Sequence, residues 1–275
     1  MIIGFLGKGG SGKSTCSTLM TNFLHDQGNL VLAIDADHNM DLAYNLSPTI
    51  DVKPIGGTFS ELKEKIGIDP KDKLDNFYIN KLSDLRFAIN PKDDYTNEYT
   101  VEIKPNLHLM ISGPQNEDVL YGSHCSHSLA APLKIYLPLL NLKENEFVVI
   151  DEKASVDAVS TGIPTGFDLA VVVSEPREHS VRVAKQITDL LEWYEVPYIT
   201  LLNKYKSDGD PDEFKKVFNK TPDLILESSD NSLELNESNK KVFEKIKLYS
   251  EKNGFRNKNR LEQTIKKYRR NLERS

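Results

Sequence analysis

Residues 7–15 read Gly-Lys-Gly-Gly-Ser-Gly-Lys-Ser-Thr, and they separate two segments of different periodicity. Residues 1–6 form a short apolar run that predicts a buried strand. After the glycines, one face of a predicted helix collects Cys16, Leu19, Met20, Phe23 and Leu24. A glycine-rich loop between a strand and a helix binds phosphate groups, because its backbone N–H groups converge on an anion and the helix N-terminus attracts negative charge. The stretch therefore predicts a phosphate site at the centre of an α/β fold.

The side chains of this loop have separate predicted roles. Lys13 is expected to bridge the outer phosphates of a bound nucleotide, and the Ser14 hydroxyl is expected to hold Mg²⁺. The residues predicted to surround the phosphates are Gly9, Gly10, Ser11, Gly12, Lys13, Ser14 and Thr15. A second lysine, Lys8, is more than such a loop requires.

Composition narrows the class of protein. The 275 residues suffice for one large α/β domain or two small ones. No stretch approaches the roughly 18 apolar residues of a membrane span, and the N-terminus lacks the layout of a signal peptide, so we expect a cytoplasmic protein without a membrane span. Two cysteines make no disulfide framework, and Cys16 belongs to a predicted core face.

Charge is distributed unevenly along the chain. The net charge of −6 argues against a nucleic-acid partner, but residues 251–275 hold nine Lys/Arg against three Glu. We therefore divide the chain into a nucleotide-binding domain, residues 1–250, and a basic helical tail, residues 251–275. Such a tail fits either a nucleic-acid arm or a solvated helix. Apolar residues at helical spacing predict that one face of it packs on the domain: Leu261, Ile265, Tyr268 and Leu272.

Further apolar runs alternate with helical segments. Buried strands are predicted at residues 30–34, 106–112, 147–150, 168–173 and 198–202. This alternation predicts a doubly wound, mostly parallel sheet flanked by helices, as in P-loop NTPases. Residues 47–105, rich in proline and charge, are expected to form an insertion on the nucleotide face within a single domain.

Acidic residues follow two of these strands. Asp35 and Asp37 end the second strand, and Asp151 ends the run at 147–150. Open α/β sheets bind ligands at the carboxyl ends of their strands. Asp151 is predicted to reach Mg²⁺ through a bound water, the role of a Walker B aspartate.

A thiol and two imidazoles stand close together in residues 122–127, where Cys125 lies between His124 and His127. These side chains suit Ni²⁺ or Zn²⁺, and a two-fold axis nearby would double them to complete four-coordination. The same residues also fit a polar loop with a buried cysteine and exposed histidines.

With Lys8 included, the loop resembles the deviant Walker A motif of the MinD/ParA and nitrogenase iron-protein superfamily. That resemblance implies a dimer in which Lys8 reaches the partner's nucleotide; the alternative is a lysine that contacts phosphate within its own subunit. It implies that Asp37 faces the γ-phosphate, lies near the Mg²⁺ and positions the attacking water, although an N-cap role for Asp37 stays open. It also implies that Asn203-Lys204 reads the nucleobase and that Pro222, in Thr221-Pro222-Asp223, lies beside it.

The order of landmarks is most similar to that of the CooC-type ATPases, which mature nickel enzymes such as carbon monoxide dehydrogenase. Four stretches carry this resemblance, namely residues 7–15, 35–42, 87–92 and 122–127. In that family a Cys-x-Cys pair from each subunit binds nickel or zinc at the dimer interface, which here implies Cys125 and His127, with His124 as a third ligand. The switch II pattern D-x-E-A-G is altered, because Lys153 replaces the acid and Ser155 the glycine.

These resemblances imply a Mg²⁺-dependent, homodimeric ATPase that cycles between ATP and ADP. It would assist the maturation of a client metalloenzyme or deliver metal to it. Two alternatives remain: a ParA/MinD-like positioning ATPase, and a nucleotide-binding regulator with little turnover. The second alternative rests on Lys153 and Ser155, which predict slow hydrolysis.

Overall fold

A computed structural model describes residues 1–49, 51–80, 84–114, 128–206, 212–228, 233–252 and 258–273. These residues form a single α/β domain with a mostly parallel sheet flanked by helices, as predicted. The strands are β1 (Ile2–Gly7), β2 (Leu30–Asp35), β3 (Phe87–Ala88), β4 (Val101–Lys104), β5 (Leu107–Ile111), β6 (Leu140–Asn141), β7 (Glu146–Asp151), β8 (Leu169–Ser174), β9 (Tyr198–Tyr205) and β10 (Leu224–Glu227).

The helices lie mostly between the strands, as βαβ connections require. They are α1 (Lys13–Asp26), α2 (Asp41–Leu46), α3 (Phe59–Lys65), α4 (Leu74–Asn80), α5 (Asp94–Glu98), α6 (Leu133–Leu139), α7 (Asp157–Ser160), α8 (Glu178–Trp193), α9 (Asp212–Phe218), α10 (Glu237–Lys252) and α11 (Lys258–Leu272). A 3₁₀ helix covers Ile163–Gly166. None of the described helices is long and apolar enough to cross a membrane.

Eight strands form one sheet in the order β10-β9-β8-β1-β7-β2-β5-β4. All neighbours are parallel except β4, which pairs antiparallel with β5 at one edge. The register sets Asp151 level with Phe5 on one side and with Asp35 on the other. The carboxyl ends of β1, β2 and β7 therefore meet at one edge of the sheet, where ligands of such folds bind.

Both faces of the sheet are covered by apolar side chains. On one face α1 and α10 pack against β1, and Cys16 is fully buried there, as expected of a core residue. On the other face α6 and α8 cover the sheet together with apolar residues of 47–105, among them Ile55, Leu62 and Tyr95. Because that segment shares the main core, its position is coupled to the positions of the central strands.

Helix α11 lies on this second face, against α4, α6 and the 3₁₀ helix. Its basic side chains are largely used within the chain. Arg260 is buried and donates from Nη1 to both carboxylate oxygens of Asp168, at 2.8 and 2.7 Å, and from Nη2 to Leu140 O at 2.6 Å. Lys266 and Arg270 both pair with Glu195 at the surface. These internal pairs leave less free positive charge than the composition of 251–275 indicates.

We predict that Arg260→Met lowers the free energy of unfolding by about 3–5 kcal/mol, because it leaves Asp168 as a buried carboxylate without its cation. Denaturant unfolding would measure the change. The matched control is Lys266→Met on the same helix, whose exposed pair with Glu195 is expected to contribute less than about 1 kcal/mol. Equal losses in the two variants would contradict the anchoring role of Arg260.

Candidate functional site

The loop after β1 depends on glycine at defined positions. Gly10 and Gly12 have φ values of 81° and 91°, and Gly12 ends the loop in the left-handed region just before α1. A Cβ atom on Gly12 would lie 2.2 Å from Asn203 Nδ2, and one on Gly7 would lie 2.3 Å from Val173 O. Larger residues at these positions would therefore push the loop off the sheet.

Two side chains at the end of β9 hold this loop from below. The buried amide of Asn203 donates from Nδ2 to Ser11 O at 2.9 Å. Lys204 donates from Nζ to Gly10 O at 2.6 Å and pairs with Glu175 Oε1 at 2.9 Å. The sequence assigned Asn203 and Lys204 to the nucleobase, and that role stays a prediction. Here the two side chains fix two carbonyl groups of the loop, Ser11 O and Gly10 O.

The two lysines of the loop differ in environment. Lys13 is 6% exposed, and its positive charge acts on Asp151 and Glu152. Lys8 is half-buried; its carbonyl accepts from Ser11 N at 3.1 Å, but its ammonium makes no hydrogen bond or ion pair with the described residues. Its predicted reach across a dimer stays a prediction, and its side chain is available for such a contact.

The two aspartates after β2 have different roles. Asp35 is fully buried; its Oδ1 accepts from Asp37 N at 3.1 Å and its Oδ2 from Ala43 N at 2.9 Å. These bonds hold the loop between β2 and α2. Asp37 lies 3.2 Å from His38 Nδ1 and remains partly exposed. The residue before α2 is Met40, so the alternative of Asp37 as an N-cap is wrong.

Asp151 at the end of β7 is the most informative side chain of the site. It is 1% exposed, and neither carboxylate oxygen has a hydrogen-bond partner among the described residues. Burial raises the pKa of Asp151 to about 7, and the charges of Asp37 and Asp41 add to the shift. Lys13 and Ser14 oppose it, and the Ser14 hydroxyl lies beside the carboxylate without reaching hydrogen-bond geometry.

Neighbouring acids share this environment. The pKa of Glu152 is raised to about 8, first by burial and then by the charge of Asp151, and its Oε2 has no partner among the described residues. The pKa of Asp35 is also raised well above its usual range, by burial and by Asp151. Such crowding of buried carboxyl groups favours a bound divalent cation, because only a cation offsets their mutual repulsion. The donor set at Ser14 and Asp151 fits Mg²⁺.

The segment after Asp151 packs directly on the phosphate loop. Ser155 donates from its backbone N to Gly7 O at 3.3 Å, and a Cβ on Gly9 would lie 3.8 Å from Ala154 Cβ. Ser155 has φ of 123°, a conformation that favours glycine and strains a residue with a Cβ. Ser155 therefore carries a side chain on backbone in a conformation that is typical of glycine.

A cavity of about 230 Å³ opens beside the loop. Its lining residues come from α1, β9, the end of β10 and α10; they are Thr15, Leu19, Asn203, Lys204, Leu226, Glu227, Ser228 and Asn239. The sequence analysis missed Glu227, Ser228 and Asn239. The apolar run at 224–226 could have indicated them, because it forms a last parallel strand whose carboxyl end lies at the same edge of the sheet as Asn203.

The prediction for Pro222 is corrected. Thr221-Pro222-Asp223 precedes β10, whereas the loop that reaches the cavity follows this strand. Asp223 Oδ2 accepts from the backbone N and the Oγ1 of Thr200, at 2.8 and 2.7 Å, near the amino end of β9. The error arose because β10 was not recognised as a strand.

The predicted transition-metal ligands Cys125, His124 and His127 lie in residues 115–127, outside the part of the chain that the structure describes. Within the described part, no group of three or more His, Cys, Asp or Glu side chains is arranged to hold a metal ion. Nickel or zinc binding therefore stays a prediction from the sequence.

The chain is similar to a known family of nucleotide-binding proteins. Residues 2–267 match the family described as the CobQ/CobB/MinD/ParA nucleotide binding domain. This match extends well into the predicted basic tail, which agrees with the packing of α11 on the domain.

The individual proteins to which the chain is similar share less than 30% of its residues. An uncharacterized ATP-binding protein of Methanocaldococcus jannaschii is 29% identical over 232 residues, 83% of each chain. The carbon monoxide dehydrogenase accessory protein CooC of Rhodospirillum rubrum is 29% identical over 195 residues, 69% of this chain and 68% of its own. The septum site-determining protein MinD of Pyrococcus horikoshii, complexed with Mg-ADP, superposes with a TM-score of 0.57 over 88% of this chain and 92% of its own. At 16% identity this last likeness shows the fold alone.

We predict that Asp151 makes the chain less stable as pH rises. Its folded-state pKa of about 7 exceeds the ordinary value of 3.8, so its favourable contribution is complete below about pH 4 and is lost as pH rises through 7. Relative to Asp151→Asn, the free energy of unfolding of the natural protein is expected to fall over this range by up to about 1.4 kcal/mol per pH unit.

Denaturant unfolding with a chelator and without nucleotide would measure this difference. Asp157→Asn, a change of an exposed aspartate at the start of α7, is the control and is expected to follow the natural protein. Parallel pH curves for the natural protein and Asp151→Asn would contradict the assignment of a strained, buried carboxylate.

Proposed function

We infer the function from one premise: the chain belongs to the CobQ/CobB/MinD/ParA family of nucleotide-binding domains. We propose that it is a Mg²⁺-dependent, dimeric ATPase that works as a conformational switch and assists the maturation of a metalloenzyme. The observation that carries the ATPase proposal is the buried carboxylate of Asp151, which has no hydrogen-bond partner among the described residues and lies beside a glycine-dependent phosphate loop.

The proposed reaction is attack of water on the γ-phosphorus of ATP, which breaks the bond to the β-phosphate oxygen and yields ADP and phosphate. Backbone N–H groups of residues 9–15 and the ammonium of Lys13 hold the phosphates. Ser14, Asp37 and Asp151 would hold Mg²⁺, directly or through water, and the ion would supply positive charge that neutralises the phosphate oxygens. Asp37 orients the attacking water, and its partial exposure leaves it accessible to that water.

The nucleobase is proposed to occupy the cavity beside Asn203. The side of the cavity formed by Leu19 and Leu226 is apolar, and Glu227, Ser228 and Asn239 supply polar groups. A mostly apolar cleft with a few polar groups is the usual composition of a ligand pocket.

Lys8 is proposed to act on the nucleotide of the partner subunit. Its support is a position on the loop together with a side chain that has no hydrogen bond or ion pair among the described residues. A cation supplied in trans stabilises the charge that develops on the transferred phosphoryl group. Hydrolysis then removes the γ-phosphate that holds the two subunits together, and the dimer reopens.

Mixing two inactive variants tests this arrangement. We expect Lys8→Ala and Asp37→Asn each to lose about 10³-fold or more in phosphate release. Mixed in equal amounts, they recover roughly a quarter of the natural rate, because half of the dimers are mixed and each has one complete site. Steady-state phosphate release measures both effects.

The control replaces Asp37→Asn by the double variant Lys8→Ala/Asp37→Asn, which supplies no lysine and is expected to restore nothing. A mixture no faster than its separate components would overturn the trans role of Lys8. A natural rate no higher than that of Lys13→Ala would overturn the ATPase proposal.

The maturation role is supported by the CooC relative, which covers about two thirds of each chain, and by Cys125 and His127 in the sequence. We predict about one tight Zn²⁺ or Ni²⁺ per ATP-bound dimer, lost in Cys125→Ala. Cys16→Ala, which changes a cysteine of the core, is the matched control and should retain the metal. Metal analysis after gel filtration makes the measurement, and metal content independent of Cys125 would contradict the proposal.

A regulator with little turnover is the second candidate, favoured by Ser155 in a glycine conformation and by Lys153. We predict that Ser155→Gly raises phosphate release severalfold, because it removes strain on the order of 1–3 kcal/mol from switch II. Ser60→Gly, at an exposed position of α3 outside switch II, is the control and is expected to leave the rate unchanged. A natural rate equal to that of Lys13→Ala, with a measurable rate in Ser155→Gly, would favour the regulator over the ATPase.

A ParA/MinD-like positioning role is the remaining alternative. The internal ion pairs of Arg260, Lys266 and Arg270 weaken it, because they engage basic side chains that a DNA-binding tail would use. Salt-dependent DNA binding by the ATP-bound protein would revive this alternative.

A further inference from the structure

The C-terminal helix α11 buries a polar stripe against the domain. Arg260, Gln263, Thr264 and Lys267 recur at positions i, i+3, i+4 and i+7, which places them on one face of a helix. All four are buried, between 1% and 7% exposed. A buried face of this kind needs defined polar partners, because each unpaired group would be costly.

Each of the four side chains has a partner in one short stretch of chain, residues 161–168, and Arg260 donates in addition to Leu140 O. Arg260 pairs with Asp168, Thr264 Oγ1 lies 3.1 Å from Thr165 Oγ1, and Lys267 Nζ donates to Thr161 O at 3.0 Å. The amide of Gln263, in the orientation that satisfies its neighbours, donates to Thr165 O and Phe167 O. The order of the contacts is antiparallel. Arg260, near the amino end of α11, contacts Asp168, whereas Lys267, nearer its carboxyl end, contacts Thr161, the residue nearest to switch II.

Residues 161–168 connect switch II to β8. Switch II begins at Asp151, passes through the strained Ser155 and α7, and reaches Thr161 after nine intervening residues. At the other end Asp168 is fixed, because its Oδ2 accepts from Ile2 N at 2.7 Å. Movement of switch II must therefore be absorbed within 152–160 or passed to the contacts with α11.

Gly162 leaves room for the side chain of Lys267. It has φ of 89°, and a Cβ at this position would lie 1.5 Å from Lys267 Nζ. The ammonium therefore occupies the space that a side chain would take, directly above the backbone turn that follows α7. This fit makes the contact specific to the present position of both segments.

The two ends of the stripe differ in strength. Arg260 forms a buried ion pair in which Nη1 donates to both carboxylate oxygens of Asp168. Among the described residues, Lys267 donates one hydrogen bond, to the neutral carbonyl of Thr161. Burial, and then the charge of Lys134, lower the pKa of Lys267 to about 8, so its charged form is the less stabilised one. Lys134 in turn is influenced by the charge of Glu152, a residue of switch II. The Lys267 end of α11 is therefore the end that releases more easily.

Helix α11 also contacts the segment 47–105. The ring of Tyr268 stacks on that of Tyr78 in α4, with centroids 5.0 Å apart and planes 8° apart. Tyr268, which follows Lys267 in the chain, therefore lies against the segment 47–105. One helix thus contacts both the connection that follows switch II and the segment 47–105.

We propose that α11 is a positioning element for switch II, in which Thr264 and Lys267 hold residues 161–165 and loosen when the nucleotide moves residues 151–160. This inference rests on the proposed nucleotide switch and names its regulation. Disturbing either side changes the other, because coupling between two sites is reciprocal.

Hydrogen exchange with mass spectrometry tests the proposal on the full chain. The proteins are the natural one, Lys267→Met, Thr264→Val and the control Lys266→Met, each with and without Mg²⁺ and a non-hydrolysable ATP analogue. Without nucleotide, Lys267→Met and Thr264→Val are expected to speed exchange in residues 156–166 about tenfold, with β1 and β8 unchanged, the local effect of losing one hydrogen bond. Lys266→Met is expected to exchange like the natural protein.

With the analogue bound, exchange of residues 261–268 is expected to change in the natural protein by at least about fivefold, the usual minimum for coupled sites. In Lys267→Met that response is lost while α10 behaves as before. Unchanged exchange in 156–166 of both variants, or no response of α11 to bound analogue, would overturn the proposal. Uniformly faster exchange in every element would reduce Lys267 to a structural residue and overturn it equally.

Binding of the analogue is measured by titration in the same samples. If the analogue fails to bind, the proposed ATPase function falls, and the nucleotide-free comparison of 156–166 still decides whether α11 positions switch II.

Discussion

The repulsion among buried carboxyl groups at the carboxyl ends of β2 and β7 is the constraint on which the rest of the site depends. Asp35, Asp151 and Glu152 all have raised pKa values because the sheet removes them from water. Of these, Asp35 is satisfied by backbone N–H groups, whereas Asp151 is left without a partner among the described residues. A protein keeps such a group only where a ligand offsets its cost. The phosphate loop, Lys13 and Ser14 are arranged around that carboxylate, and the site is therefore organised for a cation and an anion together.

The loop is held in shape before any ligand arrives. Asn203 and Lys204 fix two of its carbonyl groups, and Glu175 holds Lys204 in turn. Such preorganisation lowers the entropy lost on binding. The segment after Asp151, by contrast, carries strain at Ser155, and α11 contacts the chain just after it, at Thr161. A rigid phosphate loop beside a strained segment is the arrangement that the proposed switch requires, because binding energy gained at the loop is available to move the segment.

The sequence predicted the parts of this account that depend on local spacing. The glycine-rich loop between a strand and a helix, the mostly parallel sheet and the position of Asp37 and Asp151 after strands follow from glycine spacing, apolar runs and the carboxyl-end rule. Pro222 was misplaced because β10 is only four residues long and half exposed, so its periodicity carries little signal. Other features depend on residues more than 100 positions apart, such as the contact of Asn203 with the loop and that of Lys267 with Thr161. The lack of a partner for Asp151 among the described residues depends on distant residues in the same way. No local pattern encodes such contacts.

The central claim is that Asp151 and the phosphate loop form one site for Mg²⁺ and a nucleotide. The most direct measurement is calorimetric titration of ADP into the natural protein and into Asp151→Asn, each with Mg²⁺ and with a chelator. We expect Mg²⁺ to increase the affinity for ADP at least about tenfold in the natural protein, and we expect no such increase in Asp151→Asn. Affinity that is independent of Mg²⁺, or a gain that survives in Asp151→Asn, would contradict the central claim.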